Sequence, residues 1–117
     1  MPHRFALTTA LAALVALPAL AEGISVYDLG EMPTRELCMQ RANKVMSTYF
    51  NEHGGYQVQR TDWVIYGWDL EPGDQDVSIL CPIFRDDLVA AMMVVHGETT
   101  DEERLFTADE LSRLWSQ

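Results

Sequence analysis

The side chains in this sequence that could bind or react are two cysteines, two of its three histidines, a run of spaced carboxylates and a group of aromatics. Cys38 and Cys81 are its only cysteines. In an oxidising compartment two such thiols, both expected to face one core, should join as a disulfide. No Cys-x-x-Cys spacing points to redox catalysis instead. Bridging them closes a loop of about 44 residues, which restricts the unfolded chain by roughly 4 kcal/mol in the entropy picture.

His53 and His96 could each offer an imidazole to a metal or to acid–base chemistry. Metal centres and catalytic triads need three or more converging groups, and spacing alone supplies only His96-Gly97-Glu98 or an isolated His53. His53 falls where a helix is expected to end, and a charged imidazole is stabilised there without any ligand. Asp69, Glu71, Asp74 and Asp76 crowd one loop, as oxygen ligands of a hard cation would. They do not follow the EF-hand spacing, and an acidic, solvated hairpin loop is the commoner explanation, so they are weak metal candidates and no metal or cofactor is assigned. Trp63, Tyr66 and Trp68 lie in a stretch of strand character, where aromatics serve as a binding platform or as packing bulk. No Gly-x-Ser-x-Gly elbow, phosphate-cradling loop or dinucleotide fingerprint is present. No catalytic residue is assigned, and the sequence names no reaction.

The elements that must position these groups begin after an export signal. Met1-Pro2-His3-Arg4, the apolar run Phe5 to Leu17, Pro18 and the small-x-small site Ala19-Leu20-Ala21 have the three regions of a signal peptide. The apolar run is shorter than the roughly 20 residues of a membrane span. Residues 1–21 are therefore expected to be removed, leaving 22–117 as one small exported domain, periplasmic or secreted, with no membrane span. That domain would hold seven Lys/Arg against eighteen Asp/Glu. Such a field repels nucleic acid and anionic lipid and attracts basic proteins.

Glu22 to Met32 reads as a short edge strand or an irregular lead-in. Thr34 is placed as an N-cap, and Cys38, Ala42, Val45 and Tyr49, widened by Met39, Met46 and Phe50, form a helical stripe that stops at His53-Gly54-Gly55. The spacing predicts a helix from about Arg35 to about Glu52. Tyr56 to Trp68 reads as one long strand, bent near Arg60-Thr61-Asp62, with Tyr66 and Trp68 on the face of Val64. Val77 to Val95 reads as a hairpin turning at Asp86-Asp87, in which Cys81 faces Met92, Ile79 faces Val94 and Ile83 faces Ala90. Both faces of that hairpin are apolar, so a cover for the second face is expected. Thr107-Ala108-Asp109-Glu110 reads as a capping box opening a short C-terminal helix, which with Leu105 and Phe106 could supply the cover.

The expected fold is α+β: an N-terminal helix packed on a three-stranded, mainly antiparallel sheet, followed by a short C-terminal helix. The function that charge, size and the second apolar sheet face suggest is a non-catalytic binding or accessory module for a basic protein partner. The alternative is a small enzyme or metal-binding domain using His53, His96 and the acidic loop. A homodimer formed through the sheet face is a third expectation.

Overall fold

A computed structural model describes residues 23–117. The expected signal peptide, 1–21, lies outside the described residues. The elements run β1 (Gly23–Met32), α1 (Arg35–His53), β2 (Gln57–Arg60), β3 (Val64–Leu70), β4 (Gln75–Leu80), β5 (Ile83–Arg85), β6 (Leu88–Gly97) and α2 (Asp101–Trp115). The fold is α+β, with one antiparallel six-stranded sheet in the order β1-β6-β4-β3-β2 and β5 paired to β6. After the edge strand β1, α1 leads to the opposite edge. The chain then returns strand by strand to pair β6 with β1.

Local chemistry accounts for α1. Thr34 is extended, and its hydroxyl accepts the Leu37 amide at 3.2 Å, capping the helix. Cys38, Met39, Ala42, Val45, Met46 and Tyr49 are buried along one stripe. At Gly54, φ is 89°, and its N–H returns to the Phe50 carbonyl at 2.8 Å. Glycine takes that conformation without steric cost, so the helix ends there. Cys38 and Cys81 form the expected disulfide, with Cα atoms 6.0 Å apart, tying α1 to the end of β4.

Three expectations need correction. The sheet has six strands and a strand precedes the helix. β1 was hard to read because its outward positions are Ile24 and Val26 while Ser25 and Tyr27 point inward, so the apolar alternation runs opposite to the usual one. The stretch read as one bent strand is a hairpin. Thr61 turns it: its N–H and hydroxyl both donate to the Val64 carbonyl at 2.9 Å, and its hydroxyl accepts the Val64 amide at 3.1 Å.

The second correction is register. Arg85 does lie opposite Leu88, as a two-residue turn requires. The ladder then shifts between Ile83 and Arg85, so Ile83 faces Val89 and Ile79 faces Met93. A one-residue shift exchanges the faces of a whole strand. The side chains that share the core with Cys81 are therefore Val89, Ala91, Met93 and Val95, all buried, and not Ala90, Met92 and Val94. Pro82, with no N–H to give, lies in the break between β4 and β5, where its carbonyl still accepts from Ala90.

The third correction concerns α2. It is not short, and it starts from Thr100, whose hydroxyl accepts the Glu103 amide at 3.2 Å. Thr107, expected as a cap, is buried mid-helix. Nor does α2 cover the second sheet face. Ala108, Leu111 and Trp115 enter the same core as α1, and the Trp115 indole donates to the Leu29 carbonyl at 2.9 Å. Leu105 and Phe106, expected to help with that cover, are largely exposed.

Candidate functional site: the open face of the sheet

Both helices pack on one side of the sheet, so the other side has no cover among the described residues. Strand alternation fixes what points there. β1 presents Ile24, Val26, Asp28 and Glu31; β6 presents Ala90, Met92, Val94 and His96; β4 presents Asp76, Ser78 and Leu80; β3 presents Val64, Tyr66 and Trp68; β2 presents Gln57 and Gln59. Cross-strand pairs knit these into one surface. Val26 lies opposite Val94, Asp28 opposite Met92, and Tyr66 opposite Ser78.

The middle of this face is apolar and open. Ile24 is 66% exposed, Val26 58% and Met92 38%. Tyr66 and Trp68 stack with ring centroids 5.1 Å apart and 16° between planes. The Trp68 indole donates to Gln59 Oε1 at 3.0 Å, which fixes the ring's orientation on the strand. Such a flat, preset aromatic pair can receive an apolar or cationic side chain without losing much freedom. Trp63, the third aromatic of the sequence reading, is not on the platform. It precedes β3 and carries the Arg35 guanidinium 5.9 Å above its ring.

The charges on the five long-paired strands of this face have one sign, and Arg85 of the short β5, opposite Leu88, is the cation at its edge. Asp28, Glu31 and Asp76 point outward, and no outward position of β1, β2, β3, β4 or β6 holds Lys or Arg. Three cations, Arg35, Arg41 and Lys44, belong to α1 on the opposite side. Arg41 and Lys44 border a groove of about 510 Å³ between α1 and α2, and Arg41 lies over the Trp115 ring at 5.4 Å. The cations of α1 thus lie on the opposite side of the sheet from Asp28, Glu31 and Asp76, among the carboxylates of both helices.

The other sequence candidates divide among different places. His53 borders a hollow with Glu71, Pro72 and Phe106, whereas His96 borders another with Asp74, Asp76 and Glu98. The two histidines therefore do not line one site. The acidic loop is a tight turn whose carboxylates hold its own backbone: Glu71 Oε2 accepts the Gly73 amide at 3.1 Å and Asp76 Oδ1 accepts the Asp69 amide at 3.1 Å. Asp69 and Asp74 have φ of 51°, which aspartate tolerates better than most residues. A hydrogen bond with Asp74, ahead of partial desolvation, raises the Glu71 carboxyl above its ordinary value. That is the sign expected of acids crowded together.

Compared with known proteins, the chain matches no family model, no curated protein and no solved structure.

The sequence reading placed Met92 and Val94 on the face of Cys81, where the structure turns them outward, and it assigned no facing to Ile24 and Val26. The signal was present, since β6 is apolar at both odd and even positions. With the register one residue out, the wrong set was placed inside. It also missed Gln75 and Thr107, which are fully buried and polar. Gln75 Nε2 donates to Thr107 Oγ1 at 2.7 Å, and the Tyr49 hydroxyl donates to the Glu71 carbonyl at 2.6 Å while lying 3.0 Å from Thr107 Oγ1. Because a carbonyl can only accept, the single Tyr49 proton goes to Glu71, and Thr107 donates to Tyr49. This chain of hydrogen bonds locks the β3–β4 turn to both helices and leaves the open face on a rigid backing.

Proposed function

We propose that the mature chain is a non-catalytic binding module that docks a basic protein partner through the open face of the sheet. One observation carries this reading: an uncovered, largely apolar face on which β1, β2, β3, β4 and β6 present Asp28, Glu31 and Asp76 and no Lys or Arg, with Arg85 of β5 at its edge. An apolar centre with a charged rim is the ordinary anatomy of a protein interface. Steering by the rim speeds encounter with a partner of opposite sign. A second copy of the chain is disfavoured as occupant, since it would set Asp28, Glu31 and Asp76 of two faces against each other. The Cys38–Cys81 disulfide fits the expected export, and a small exported chain fits the same reading.

The test uses the mature, disulfide-bonded chain immobilised against a soluble extract of the producing cells, with wild type, Val26→Lys/Met92→Lys and Arg41→Glu/Lys44→Glu compared. The expected result is a basic protein retained at low salt by wild type and by the helix-face variant, and lost from the sheet-face variant. Retention that ignores the sheet-face substitutions would sink the reading, as would a captured partner that is acidic. So would a wild-type dimer in sedimentation that Val26→Lys/Met92→Lys converts to monomer.

A further inference from the structure

We propose that Glu52, His53 and Glu110 form a binding site for a divalent transition-metal ion of the zinc class, where the end of α1 meets α2. The site lies on the helical side of the molecule and is independent of the sheet face. One potential ligand atom from each of the three residues lies within 4.8 Å of the others. A single ion can be reached from such a cluster by small side-chain rotations, since zinc–nitrogen and zinc–carboxylate distances are about 2.0–2.2 Å.

The imidazole is held in place before any ion arrives. Tyr49 packs against it with ring centroids 4.4 Å apart, and Phe106 meets it edge-on at 5.5 Å. Tyr49 is itself pinned by its bond to the Glu71 carbonyl. The His53 ring retains some exposure, but its Nε2 atom is enclosed and has no hydrogen-bond partner among the described residues. Glu52 Oε2 stands 3.9 Å from it, beyond hydrogen-bond range. Enclosed nitrogen atoms without a partner are rare, because water or a protein group normally satisfies them. Metal coordination would satisfy this one.

The ligand set selects the class of ion. One imidazole and two carboxylates suit zinc and neighbouring transition metals. Calcium wants six to eight oxygens, and magnesium a near-ideal octahedron of them. Three protein ligands would leave a tetrahedral ion one position for water.

Arg113 opposes the ion. Its Nε donates to Glu110 Oε2 at 3.2 Å and its Nη2 donates to Glu110 Oε1. A metal taking Glu110 must displace at least one of these bonds. The guanidinium is therefore a built-in competitor, and its removal should tighten binding while removal of a ligand should weaken it. A cluster of surface charges with a purely structural role would not show that opposition of signs.

The experiment titrates Zn²⁺, then Ca²⁺, into the mature oxidised chain by calorimetry, with the imidazole resonances of His53 followed by NMR. The expected result is one Zn²⁺ per chain, a shift at His53 Nε2, and no matching response to Ca²⁺. His53→Gln and Glu110→Gln should each weaken Zn²⁺ binding at least about tenfold. Arg113→Ala, which alters a half-exposed side chain, should strengthen it. Three outcomes would overturn the proposal: Zn²⁺ binding that leaves His53 unmoved, binding that survives His53→Gln in a chain shown by circular dichroism to be folded, or no binding in either wild type or Arg113→Ala.

Discussion

The Thr107 hydroxyl accepts from the Gln75 amide and donates to Tyr49, and both neighbours are themselves buried. Its replacement by valine keeps the shape and removes both bonds, so two buried polar groups lose a partner at once. We expect Thr107→Val to lower stability by about 1–3 kcal/mol in urea unfolding. Tyr49 adds a pH dependence. Burial is the main cause that pushes its phenol above the ordinary 10.0, partly offset by the Thr107 hydrogen bond. The unfolded chain therefore releases this proton at lower pH than the folded chain does. The contribution is complete below pH 10 and is lost as pH rises toward the raised folded value. Tyr49→Phe should be less stable than wild type at neutral pH, and the gap should narrow in unfolding curves taken above pH 10. None of this network could be read from the sequence. Gln75 and Thr107 look like surface residues, and only the meeting of α1, α2 and the β3–β4 turn puts them inside.

At the scale of elements, the disulfide joins pieces 43 positions apart in the chain and holds α1 against the strand break at Pro82. Loss of the bridge frees the unfolded ensemble, so Cys38→Ala/Cys81→Ala should lower the unfolding free energy by about 4 kcal/mol if the native packing is otherwise kept. Equilibrium denaturation of the two proteins side by side measures it. Around the bridge, much of the secondary structure was readable. The stripe Cys38, Met39, Ala42, Val45, Met46 and Tyr49 is buried as its period requires. The cap at Thr34 and the glycine stop at Gly54 come from local backbone chemistry, which depends on few neighbours. The hairpin register was not readable. Its turn is local, but the shift between Ile83 and Arg85 is a choice between two apolar faces. When both parities of a strand are apolar, hydrophobic pattern cannot decide which one is inside. Gly67 shows a similar limit. A Cβ there would meet Met46 Sδ at 2.6 Å, so glycine permits the close approach of α1 to β3, but nothing in the adjacent sequence announces the helix above it.

At the scale of the whole molecule, the decisive feature is the placement of two helices on the same side. It leaves Ile24, Val26 and Met92 exposed beside the half-buried Tyr66–Trp68 stack and puts them on the other side of the sheet from the cations of α1. Because these apolar groups are already exposed, polar substitution there removes little from the core. Val26→Lys/Met92→Lys should unfold within about 0.5 kcal/mol of wild type while losing the partner. Partner capture should also fade as salt rises, since rim charges are screened beyond about 10 Å at 0.1 M. A thermal melt and a salt series of the capture assay check both. The sequence by itself determined the amphipathic first helix, the α+β class, the cysteine pairing and the acidic balance, because periodicity, composition and the count of thiols are properties of the chain alone. The tertiary structure decided which face of the ribbon is buried, which face is left open, and that Glu52, His53 and Glu110 meet. Those depend on a one-residue shift in a ladder and on the side from which the last helix docks, and both are settled by competition between distant surfaces of nearly equal hydrophobicity.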